Sequence, residues 1–141
     1  MRRGESGFLR QYGVNVHYVQ SQDDAEEFWR WLAKPRERLG CDTECEGLSP
    51  EHDRIRLIQF GDLHDGWAMP WDRFSSLAIA VFKHYPGKYV FHNSKYDCRM
   101  IEHWGGITMP WDRIDDTMTM AALVDQTRSK GLKPLAGRLV D

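Results

Sequence analysis

The chain is poor in cysteine, has no long apolar run and carries little net charge. Three cysteines, Cys41, Cys45 and Cys98, are too few and of the wrong parity for a disulfide scaffold, so a reducing compartment is expected. Cys41 and Cys45 have zinc-ligand spacing, but no second Cys or His pair completes a tetrahedral set, which leaves them as strand residues. No apolar stretch approaches the ~20 residues of a membrane span. The basic N-terminus, MRRGESGFLRQYG, has no apolar stretch behind it and does not read as a leader, so the cytoplasm is the expected compartment. Low-complexity segments and linkers are also lacking, and 141 residues suit one domain spanning 1–141.

The formal net charge of −2 is not that of a general nucleic-acid binder. The basic residues are unevenly spread. Between Gln126 and Val140 stand Arg128, Lys130, Lys133 and Arg138 with no acid, either a solvated surface or an edge that meets phosphates.

Hydrophobic periodicity divides the chain into strands and helices. Alternation predicts strands over Val14–Val19, Leu39–Glu44 and Ile55–Phe60, and a short hairpin partner over Gly66–Met69. Tyr89–Phe91 has the character of a buried strand. Helices are expected over Asp23–Ala33, Phe74–Tyr85, Ser94–Trp104, Thr117–Val124 and Lys133–Val140. The order implies a mixed α/β sheet whose first three strands are antiparallel, with helices packed on it. Met-Pro-Trp-Asp-Arg occurs at 69–73 and again at 109–113, in different surroundings, and reads as a reused turn and cap.

Two constellations carry chemistry. In Asp42-Thr43-Glu44 the strand period places both carboxylates on one face and Thr43 on the other. Such a pair is either a solvated edge or a site whose repulsion is relieved by raised pKa values or cations. Hard ions such as Mg²⁺ prefer oxygen ligands of this kind. In Phe91-His92-Asn93-Ser94-Lys95-Tyr96-Asp97 an apolar strand runs through a polar turn into a helix. Asn93 or Ser94 is placed to cap that helix, and Asp97 lies in its first turn, where its charge is favourable even without a ligand.

Together, Asp-x-Glu on a strand and Asn-x3-Asp opening a later helix resemble the first two motifs of the DEDD 3′–5′ exonuclease superfamily. The likeness is closest to the proofreading domain of bacterial and phage family A DNA polymerases. Asp116-Thr117-Met118-x2-Ala121-x-Leu123 and Gly131-Leu132-Lys133-x-Leu135-Ala136 resemble its continuation, so the likeness spans about residues 12 to 141. The resemblance implies a ribonuclease H-like fold and two Mg²⁺ or Mn²⁺ ions. It implies that Asp42 bridges both ions, Glu44 holds the one that activates water, and Asp97 holds the other. It further implies that Thr43 lies against the terminal nucleotide, that Leu48 wedges beside the last base, and that Asn93 contacts the substrate. A surface loop leucine is the plain alternative for Leu48. The substrate would be a single-stranded DNA 3′ end and the product a nucleoside monophosphate, with a polymerase domain in the same or a companion chain.

One departure stands out. The family's third motif, a Tyr or His followed four residues later by Asp, has no counterpart here. Either the chain is a fragment or it lacks the fourth ligand. An exoribonuclease of the RNase D type, and a non-catalytic module that holds single-stranded ends, are the competing expectations.

Overall fold

The computed structural model describes residues 13–139. The N-terminal segment read as lacking a leader, and the last residue of the helix expected over Lys133–Val140, lie outside them.

Six strands form one sheet: β1 (Asn15–Tyr18), β2 (Arg38–Cys45), β3 (Ile55–Gly61), β4 (Asp65–Pro70), β5 (Lys88–Phe91) and β6 (Ile114–Asp116). Their order is β1-β4-β3-β2-β5-β6. Five helices accompany them: α1 (Gln22–Leu32), α2 (Trp71–His84), α3 (Ser94–Gly105), α4 (Thr117–Val124) and α5 (Leu132–Leu139). The mixed α/β architecture is as expected, with one correction. The antiparallel ribbon is β2-β3-β4, whereas β1 joins the far edge parallel to β4. The helix α1 carries the chain away from β1, so β2 does not fold straight back on it. β5 and β6 also run parallel to β2, which leaves β3 as the one reversed strand of the described sheet.

One face of this sheet holds the core. Cys41 and Thr43 of β2, Ile58 and Phe60 of β3, Trp67 and Met69 of β4, and Tyr89 and Phe91 of β5 are buried. Phe28 and Trp31 of α1 reach down to Phe60 and Trp67 at ring separations of 5.5–5.8 Å. Tilted and edge-on aromatic pairs of this kind add to simple area burial. Strand period two assigns Ile58 and Phe60 correctly but puts Ile55 on the other face. A register shift opposite Glu44 and Cys45 inserts an extra residue into β3 and turns Ile55 into the core.

The second face is open. Cross-strand pairing aligns Val16, Gly66, Gly61, Gly40 and Val90 in one row, and Ala68, Gln59 and Asp42 in the next. They line a broad trough of about 1200 Å³.

Both copies of Met-Pro-Trp-Asp-Arg place Pro immediately before a helical turn that begins at Trp. The first opens α2 and the second opens a 3-10 turn over Trp111–Arg113 that precedes β6. Each arginine ties that turn to distant backbone. Arg73 donates to the Gln20 carbonyl, and Arg113 to those of Tyr85 and Gly87. The helix expected from Phe74 begins instead at Trp71, and Phe74 is a non-helical break inside it.

Candidate functional site

β5 pairs with β2 only as far as Gly40. Beyond that point the β2 edge is free from Cys41 to Cys45, and the start of α3 fills the notch. The site lies here, at the carboxyl ends of two parallel strands, where open α/β sheets commonly bind ligands.

Asp42 and Glu44 both stand on the open face, exposed, opposite Gln59 and Leu57. Partial burial, then the neighbouring Glu44 charge, raise the Asp42 carboxyl above its ordinary value, with the Thr43 N–H and then His92 opposing. Asp97 approaches from the core side. It is buried, at 3% exposure, and its Oδ1 accepts the Thr43 N–H at 3.2 Å and the Thr43 hydroxyl at 2.5 Å. Burial pushes its carboxyl up to about 6; the Thr43 hydroxyl works against that shift and Asp42 adds to it. The pair expected on one face is therefore together. Asp97 joins it through charge and not through shared coordination geometry. Among the described residues, no group of three Asp, Glu, His or Cys is close enough to hold a metal ion. A buried carboxylate takes the nearest donors, and for Asp97 these belong to Thr43. Hard cations nonetheless suit the Asp42–Glu44 pair, because both donors are oxygens and their mutual repulsion is what a cation relieves.

Asn93 has a left-handed backbone, φ 71°, which Asn tolerates better than most residues. Neither Asn93 nor Ser94 caps α3 through its side chain. Asp116 does so instead, accepting the N–H groups of Asn93 (3.1 Å) and Ser94 (2.7 Å) and the Ser94 hydroxyl (2.7 Å). The same carboxylate caps α4 through the N–H groups of Met118 and Thr119. Burial opposes its charge, but the bonds from Ser94 and the other donors hold its carboxyl below the usual range. His92 binds the Thr117 hydroxyl at 2.9 Å and donates to the Lys130 carbonyl at 2.6 Å, fastening the basic segment to the end of β5. Neither the second role of Asp116 nor that of His92 has a local sequence signal, because their partners lie 22 to 38 residues away.

Leu48 is 83% exposed on the loop after β2. Cys41 and Cys98 are buried free thiols, and Cys45 is partly buried.

The fold is a mixed, ribonuclease H-like sheet that carries Asp42 and Glu44 near the end of β2 and Asp97 in the first turn of α3. The chain belongs to the 3′–5′ exonuclease family, whose model matches residues 16–141. It is 32% identical over 122 residues to a DNA polymerase of Mycobacterium phage L5, covering 79% of this chain and 20% of that polymerase. Among solved structures, the catalytic core of RRP6 from Trypanosoma brucei superposes with a TM-score of 0.72 at 17% identity, covering 90% of this chain and 35% of that one. Brucella melitensis NrnC with bound Mg²⁺ gives 0.66 at 18% identity, covering 91% and 62%. No helix among the described residues is long and apolar enough to cross a membrane.

Proposed function

We propose that residues 1–141 form a single proofreading-type exonuclease domain that hydrolyses the 3′-terminal phosphodiester of single-stranded DNA and releases a nucleoside monophosphate. The observation that carries this reading is the Asp42–Glu44 pair beside buried Asp97 at the carboxyl ends of β2 and β5. Asp42 and Glu44 would hold Mg²⁺ or Mn²⁺ on the open face, and Asp97 would join them by turning from its Thr43 donors; the bound ions would polarise the scissile phosphate and its attacking water. Thr43 is held by Asp97 and so fixes the backbone between the two exposed acids. Leu48, exposed on the loop that follows β2, offers an apolar side chain for the last base, and Asn93 stands at the strand end for the adjoining sugar and phosphate. The phage relative favours a polymerase domain as the working partner, and the proposed compartment is the cytoplasm.

A labelled single-stranded DNA incubated with Mg²⁺ or Mn²⁺ tests the assignment. Slow release of mononucleotides from the 3′ end, lost in Asp42→Ala, is the expected result; metal-independent or 5′-end degradation would overturn it. An RNA substrate is the second reading, because the chain shares its fold with Escherichia coli RNase D, an exoribonuclease; competition between DNA and RNA oligonucleotides of one sequence separates the two.

A further inference from the structure

Leu48 is a single exposed leucine, which by itself needs no explanation. Its loop is less ordinary. Tyr96 donates its phenol O–H to the Gly47 carbonyl at 2.6 Å. Trp104 donates its indole N–H to the Asp53 carbonyl at 2.9 Å. These two residues lie about two turns apart on one face of α3, and their bonds bracket Leu48. Inside the bracket the Asp53 carboxylate accepts the Ser49 N–H at 2.8 Å, and the Ser49 carbonyl accepts the Asp53 N–H at 2.8 Å. Gly47 permits this closure, since a Cβ there would lie 2.4 Å from the Asp53 carboxylate oxygen.

The helix that carries Asp97 thus also holds both ends of the segment displaying Leu48. We propose that Tyr96 and Trp104 are positioning residues: they latch the Gly47–Asp53 loop to α3, so that Leu48 stands at a fixed place relative to the acids and admits one unpaired 3′-terminal nucleotide. This rests on the exonuclease reading. Neither residue touches the reacting atoms in this role; both act through Leu48.

Two measurements on the full chain test it. The first is amide hydrogen exchange in wild type, Tyr96→Phe and Trp104→Phe. Exchange at Ser49 and Asp53 should quicken roughly three- to tenfold, the equivalent of one hydrogen bond, while Tyr85 at the end of α2 stays unchanged. The second is binding of a DNA single strand with 2-aminopurine as its 3′-terminal base and a terminal phosphorothioate linkage. Tyr96→Phe and Leu48→Ala should weaken binding by a similar factor and lose the same change in 2-aminopurine emission. The double variant should be no weaker than Leu48→Ala alone, because residues acting through one another are not additive. Unchanged loop exchange in both latch variants overturns the proposal, and so does full additivity in the double variant. Failure of wild type to bind any 3′ end would instead remove the exonuclease reading, and the exchange data would still decide whether the latch exists.

Discussion

Asp97 shows what a buried carboxylate costs before any ligand is considered. With its carboxyl pushed up to about 6, the folded chain holds that proton more tightly than the unfolded chain, whose aspartates titrate near about 3.9. The folded state therefore binds more protons between these values, and its stability falls as pH rises from about 4 to about 6. A difference of that size between the two states corresponds to roughly 3 kcal/mol at most. Asp97→Asn keeps an oxygen for the Thr43 donors and removes the charge. It should raise stability in urea by up to about 3 kcal/mol at pH 8 and flatten the slope between pH 4 and 6. An unchanged slope would show that Asp97 is not the group titrating there. The sequence revealed Asp97 as a first-turn acid, and period two put Asp42 and Glu44 on one face. It did not reveal that Asp97 reaches β2 from the Thr43 side, because that depends on the β2–β5 pairing stopping at Gly40.

At the scale of elements, α3 is the pivot of the site, and its first turn is held from outside. Local reasoning offers Asn93 or Ser94 as the cap because such residues commonly supply their own. The structure instead places the strand ends of β5 and β6 side by side, Phe91 against Asp116, so one carboxylate reaches the starts of two helices. Asp116→Ala should destabilise the fold by about 2 kcal/mol, two caps at about 1 each, measured by denaturant unfolding. Asp116→Asn, which keeps an acceptor oxygen, should cost less. The lowered carboxyl of Asp116 implies stability that is present above the ordinary carboxylate range and is lost as pH falls through it. Equal losses in the Ala and Asn variants would show that packing, and not capping, sets the effect. Other element ends escaped sequence reading for similar reasons. The β3 irregularity that buries Ile55 and the break at Phe74 inside α2 answer to tertiary packing, not to residue type.

The whole molecule combines a closed face and an open one. The motif order in the sequence was enough for the mixed sheet and for the acids gathered at one end. It could not place β1, whose partner β4 lies on the far side of α1, β2 and β3. Nor does the sequence show that α4 has no buried residue although Met118, Ala121, Ala122, Leu123 and Val124 make it apolar on every side. An apolar helix of that kind is ordinarily covered, and it stands beside the open trough into which Asp42 faces. The electrostatics of the site lead to the same place. Three acids carry the family resemblance here, against four in the family's pattern, and no Tyr or His precedes an Asp at the spacing of the third motif. Fewer carboxylates give weaker attraction for a second cation, and a water that no side chain orients reacts slowly, since positioning and charge stabilisation each lower the barrier. The 141-residue chain alone should therefore bind a 3′ end measurably and hydrolyse it poorly, with Mn²⁺ or Mg²⁺ strengthening the binding. Supplying a helical segment that carries Tyr-x3-Asp or His-x3-Asp and covers the open face should raise hydrolysis by about a hundredfold or more, the scale of a well-placed acid–base group. The gain should disappear with Asp42→Ala or Asp97→Ala. Rapid, Asp42-dependent hydrolysis by the 141-residue chain on its own would show that these residues already contain the fourth ligand.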